Sequence, residues 1–207
     1  MQYTTLGNSG LVVSKLSMGT MTFGQGPMAS GMSKNKMDQK TAEIMVNRAM
    51  EAGINFFDTA DMYTNGQAEM MLGKALRNRR KDVIISTKCG FRSGEALISS
   101  GLSYRYVIQA VEASLERLNT DYIDILLIHI PDPATPLTET CRALEEVVQR
   151  GWVRYTGYCN YPAWQAQKML DIQDKYGYSR FITSQMYYSL LGRDIEFDVA
   201  PFLQHNG

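Results

Sequence analysis

The chain has 207 residues, 21 basic and 21 acidic, and 44% of them are hydrophobic, an ordinary globular composition with enough length for one substantial core. A formal net charge of zero, with no basic run, argues against a nucleic-acid surface, and neither a signal peptide at Met1-Gln2-Tyr3-Thr4-Thr5 nor an apolar stretch of the roughly 18 residues that a membrane span needs is present. Three cysteines without CxxC spacing (Cys89, Cys141, Cys159) and two distant histidines (His129, His205) argue against a disulfide framework and a metal centre, so the expectation is a cytoplasmic α/β protein.

In chain order, residues 3–6 and 11–13 flank Gly7-Asn8-Ser9-Gly10 and read as a β-hairpin. Short apolar runs then predict strands over 16–18, 55–58, 83–88, 122–129, 153–159 and 181–185. Between them, apolar residues at helical spacing predict helices over 38–52, 67–78, 103–118, 137–150 and 162–176. In the third of these, Val107, Val111, Ser114, Leu115 and Leu118 share one face. Asp38 and Ser103 are placed to cap helices, Gly53 to end one, and Pro162 to open another. The methionine-rich stretch from Met21 to Met37 reads as a loop, either lining a mouth or simply mobile, and a last helix begins near Ile195.

Strand and helix alternating at this spacing mean parallel strands joined by right-handed crossovers. That leaves a doubly wound sheet and a barrel. After the first strand the sequence is Met18-Gly19-Thr20-Met21-Thr22-Phe23-Gly24, without the GxGxxG fingerprint, which favours the barrel.

Polar residues follow the apolar runs one after another: Asp58, Lys88, His129, Asn160 and Gln185. Each alone would pass as loop solvation or a satisfied core group. Together, in a barrel, they converge on the rim where the strand C-termini meet and active sites are built. Asp58 and Lys88 sit on neighbouring strands about 4.8 Å apart and are expected to pair. Tyr63, five residues past Asp58, can arch back over the rim, where the Lys88 ammonium is expected to pull its phenol pKa below the usual value of about 10.

These residues resemble the aldo-keto reductases. The resemblance lies in Phe56-Phe57-Asp58-Thr59-Ala60-Asp61-Met62-Tyr63, Ser86-Thr87-Lys88, Ile128-His129-Ile130-Pro131-Asp132-Pro133, Gly157-Tyr158-Cys159-Asn160-Tyr161 and Gln185. It implies a (β/α)8, TIM-type barrel with an N-terminal hairpin and a reaction in which a carbonyl is reduced by hydride from NADPH, NADH being a further option. By that resemblance Tyr63 donates the proton, Lys88 tunes it, Asp58 holds Lys88, and His129 orients a small-molecule carbonyl substrate. Gly19, Thr20, Met21, Asp58, Cys159, Asn160 and Gln185 would hold the nicotinamide, and no metal is needed. Cys159 stands where the family usually has serine, a weaker donor in its place.

A barrel of this type usually takes about 250 residues. Residues 1–207 are therefore expected to form a single domain of about six βα units, lacking the last two and the adenosine-phosphate pocket they carry. Open barrel edges of that kind invite self-association. Two other readings stand beside the reductase: a non-catalytic binding or regulatory module (or inactive fragment) of the same family, and a barrel hydrolase built on Asp58 and His129.

Overall fold

A computed structural model describes residues 1–27, 34–92, 96 and 98–207. The chain opens with the expected hairpin, strand β1 (Tyr3–Thr5) pairing antiparallel with β2 (Val12–Ser14). Six parallel strands follow: β3 (Met18–Gly19), β6 (Phe56–Asp58), β7 (Ile84–Cys89), β8 (Ile123–Ile128), β9 (Val153–Cys159) and β10 (Thr183–Gln185). Helices α1 (Gln39–Glu51), α2 (Gln67–Leu76), α3 (Tyr104–Leu118), α4 (Leu137–Gln149) and α5 (Ala163–Tyr176) connect them. A final helix, α6, runs over Val199–Asn206.

The strand order in the sheet is the chain order, β3-β6-β7-β8-β9-β10. No reversal of order occurs, so the sheet is wound in one direction only, as in a barrel and unlike a doubly wound fold. It is also strongly curled. Gln185 ends β10 and Asp58 ends β6, four strand spacings away, which would be about 19 Å in a flat sheet. Their side chains nevertheless meet, Gln185 Nε2 donating to Asp58 Oδ1 at 3.1 Å. The result is a six-stranded half-barrel.

Alternation along β8 shows how the curl is filled. Leu126 and Ile128 face the helices and join the main core with Val107, Val111, Leu144 and Met169. Ile125 and Leu127 face inward, where Leu6 and Leu11 of the hairpin and Phe56 and Ile84 pack against them, so the hairpin plugs the inner side.

Local chemistry sets the helix ends. Asp38 caps α1 by accepting from the Thr41 amide at 2.8 Å, and Ser103 Oγ accepts from Tyr106 at 3.3 Å. The expected helix near Ile195 starts later: residues Asp194–Glu196 form a short 3₁₀ turn, and α6 begins at Val199. The first barrel strand is displaced as well, pairing at Met18 and Gly19 rather than over 16–18. Leu16 is 61% exposed, so its apolar character marked no buried strand.

The stretch from Met21 to Met37 is not simply a loop. Strands β4 (Gly24–Pro27) and β5 (Lys34–Met37) pair antiparallel, while residues 28–33 lie outside the described residues. The base of this hairpin rests on Thr64, where a side chain at Gly24 would come within 2.7 Å of the Thr64 methyl. Among the described residues, no helix is long and apolar enough to cross a membrane.

Candidate active site

Strand alternation on β7 sorts its side chains. Ser86 and Lys88 point to the inner face, where Asp58 lies opposite in register, and Thr87 points to α2. Lys88 is fully buried, and its three ammonium donors all find acceptors: Asp58 Oδ2 at 2.6 Å, the Thr59 carbonyl at 2.7 Å and Tyr63 Oη at 3.2 Å. The remaining Asp58 oxygen accepts from Ser86 Oγ at 2.6 Å and from Gln185. A buried ion pair whose ammonium protons all have acceptors and whose two carboxylate oxygens both accept is one in which desolvation is offset.

Tyr63 reaches this pair from the turn after β6. The turn is tightly specified: Thr64, Asn65 and Gly66 have φ of 47°, 53° and 83° in succession. A β-branched residue in the left-handed region is strained, and Thr64 is held there by its hydroxyl donating to the Phe23 carbonyl at 2.8 Å. His129, just past β8, is anchored by its amide to the Cys89 carbonyl at 2.8 Å. Its ring meets Tyr63 edge-on at 6.0 Å between centroids and packs against Phe91 at 4.7 Å. Tyr63, Lys88, Asp58 and His129 thus stand together at the strand C-termini.

The electrostatics depart from the sequence expectation at one point. Burial raises the Tyr63 phenol and outweighs the Lys88 charge that would lower it, with Asp58 adding to the rise. The expected net lowering fails because a phenolate at this buried position would lose its hydration, a cost larger than the attraction of Lys88. Burial also works against the Lys88 ammonium, but Asp58 and Tyr63 more than compensate and its pKa is raised. His129 is pushed down to about 4, first by burial and then by Lys88, so at neutral pH it is an uncharged imidazole. Its Nδ1 is buried and has no hydrogen-bond partner.

The expected cofactor residues ring the same mouth with different freedom. Thr20 is fully buried, and both its amide (2.9 Å) and its hydroxyl (3.0 Å) donate to the Asp58 carbonyl, making it a brace for the site. Gly19 faces open space, and Met21 is about half exposed. Asn160, at φ 61°, donates through Nδ2 to the His129 carbonyl at 2.9 Å, leaving its carboxamide oxygen at an exposed position. Cys159 is buried, its thiol pushed up to about 12 by burial first, with Sγ 3.8 Å from Gln185 Oε1. It is a neutral, weak donor here. An open space over Gly19, the exposed Asn160 and Gln185 carboxamides, and the unpartnered His129 Nδ1 fit the amide-bearing ring of a nicotinamide and a carbonyl beside it.

Ser86 is a further site residue, and its place two residues before Lys88 on a strand, which puts both on one face, is a signal the sequence carries. Asp61, Glu69 and Arg117 form a second polar group on the helix side. Glu69 on α2 is fully buried and accepts from Thr87 Oγ1 and from Arg117 Nε of α3, both at 2.6 Å. No group of residues suited to hold a metal ion occurs among the described residues.

A tyrosine hydroxyl on a buried lysine–aspartate pair thus stands at the C-terminal rim of a β/α half-barrel. The chain belongs to the aldo/keto reductase family, whose model matches residues 15–207. It is 37% identical to a probable voltage-gated potassium channel subunit beta of Arabidopsis thaliana over 212 residues, covering 100% of this chain and 61% of that protein. It is likewise 37% identical to a versiconal hemiacetal acetate reductase of Aspergillus parasiticus (100% and 65% covered) and to a putative aryl-alcohol dehydrogenase of Saccharomyces cerevisiae (97% and 64%). The chain therefore spans under two thirds of the length of these relatives.

Proposed function

We propose that this chain carries the chemistry for reducing an aldehyde or ketone to an alcohol, with NADPH as the reductant and NADH as a further option. The observation that supports it is the Tyr63 hydroxyl 3.2 Å from Lys88 Nζ, facing the mouth beside a neutral histidine. When bound, the nicotinamide supplies the hydride that adds to the carbonyl carbon. Tyr63 stays protonated through the neutral range, so it is always loaded to give its proton to the carbonyl oxygen as negative charge grows there. Lys88 then stabilises the phenolate left behind and, held by Asp58, needs no reorganisation to do so. Neutral His129 can donate a hydrogen bond to the same oxygen without competing for the proton. Asn160 and Gln185, with Cys159 behind them, would hold the nicotinamide amide, while Gly19 and Met21 border the ring and Thr20 fixes the floor.

The test is consumption of NADPH with a set of aldehydes by the parent chain and by Tyr63→Phe. The proposal requires a parent rate that the variant loses; equal rates would remove Tyr63 from the role.

The match to potassium-channel beta subunits favours one second reading, a binding or regulatory module. It is supported if NADPH binds, by fluorescence titration, without turnover of any carbonyl. Three buried free thiols agree with a reducing, cytoplasmic setting. Strands β3 and β10 each have one neighbour in the sheet, and self-association through these edges is part of the proposal, to be read by light scattering.

A further inference from the structure

The turn that carries Tyr63 is laid along β7 at two points. The Thr59 amide donates to the Ser86 carbonyl at 2.9 Å, and the Asp61 amide to the Lys88 carbonyl at 3.1 Å. Between this turn and the helices lies the Asp61 carboxyl, 1% exposed, with neither oxygen hydrogen-bonded. The charged and titratable groups that face it are Glu69 of α2, Arg117 of α3, and Lys88 and Cys89 of β7. Both cations are committed: Arg117 to Glu69 and to Ser114 Oγ (3.1 Å), Lys88 to Asp58, Thr59 and Tyr63. An ionised Asp61 would thus be a buried anion beside a second anion, with no donor to receive it. A neutral carboxyl fits where it is.

On the other side of Tyr63 the turn passes through the left-handed Thr64, Asn65 and Gly66, of which the β-branched Thr64 is strained. One end of the segment is thus held by the Thr64 hydroxyl on the Phe23 carbonyl, and the other is seated by a group whose fit depends on its proton.

We infer that Asp61 is a positioning residue for Tyr63, keeping the turn seated on β7 as a neutral carboxyl and loosening it as a carboxylate. Only the catalytic consequence rests on the proposed reductase; the seating belongs to the fold. Burial first, and Glu69 second, raise Asp61 to about 7, against the weaker opposing pull of Arg117, the Met62 amide and Lys88. The Met62 amide lies near without hydrogen-bond geometry. The change thus falls in the neutral range, where His129, held to about 4, does not titrate.

The experiment follows the Tyr63 resonance in protein labelled at the tyrosine ring carbon bearing the hydroxyl, assigned by its loss in Tyr63→Phe, across about pH 5 to 9. In the parent it should shift with a midpoint near 7. In Asp61→Asn it should stay flat, and in Glu69→Gln the midpoint should fall by on the order of one pH unit. A flat parent, or an Asp61→Asn titration like the parent's, overturns the inference. Should Asp61→Asn fail to fold, an unchanged midpoint in Glu69→Gln overturns it. NADPH-dependent reduction is assayed at the same pH values. A titrating Tyr63 without turnover would refute the reductase and leave the seating intact; turnover with a pH-independent Tyr63 would do the reverse.

Discussion

Asp58 and Asp61 stand three residues apart, both buried at the same strand end, and meet opposite fates. Asp58, on the inner face, has Lys88, Ser86 and Gln185 on its two oxygens. Asp61, on the helix side, has none on either. The same side chain is held as part of an ion pair in one place and is pushed towards its neutral form in the other. The difference lies in whether a cation is free to meet it: Lys88 turns inward to Asp58, while Arg117 is taken by Glu69. A buried carboxyl is thus defined by which face of the sheet it falls on.

Tyr63, where the two regions meet, should show the largest effect. Tyr63→Phe keeps the ring and removes the donor, so carbonyl reduction with NADPH should fall by about 10²- to 10⁴-fold with stability nearly unchanged, as steady-state rates beside a denaturation curve would show. Next comes Lys88→Met, which leaves Asp58 buried without its cation. Urea denaturation should show a loss of about 3–5 kcal/mol.

Asp61→Asn probes the other aspartate. A folded-state pKa raised from 3.8 to about 7 means that the parent loses stability as pH climbs from about 4 through about 7, on the order of 4 kcal/mol in all. Unfolding free energies of the variant should lack that decline, and the gap between the two proteins should open only across this window. The smallest effect is expected at Asn160→Ala, which removes one hydrogen bond to the His129 carbonyl. NADPH affinity should weaken several-fold, about 1 kcal/mol, with the Asp58–Lys88 pair untouched.

Sequence alone carried the comparison part of the way. β9 was legible to the residue because Val153 to Cys159 is continuously strand-like and flanked by Gly151 and the Pro162 helix start. The convergence of Asp58, Lys88 and His129 was legible because polar groups closing apolar runs have only the rim to go to. The hairpin of β4 and β5 was not, since Gly24-Gln25-Gly26-Pro27 and Lys34-Asn35-Lys36-Met37 lack apolar alternation. Nor was the sign of the Tyr63 shift, which depends first on how deeply the packing buries the phenol, a quantity no spacing encodes. Asp61 looked like Asp58 in the string of letters, and only the packing of α2 and α3 separates them.

The contact from Gln185 to Asp58 also fixes an order of events during synthesis. Asp58, Ser86 and Lys88 meet across at most 30 residues, whereas Gln185 follows Asp58 by 127. At about 5–20 residues per second, the ribosome needs about 5–20 s to travel from Lys88 to Gln185. Throughout that interval the Asp58 oxygen that accepts from Ser86 lacks its second donor. Within this polar cluster the Gln185 bond is therefore the last that the chain can complete, and a stall before residue 185 would leave Asp58 without it.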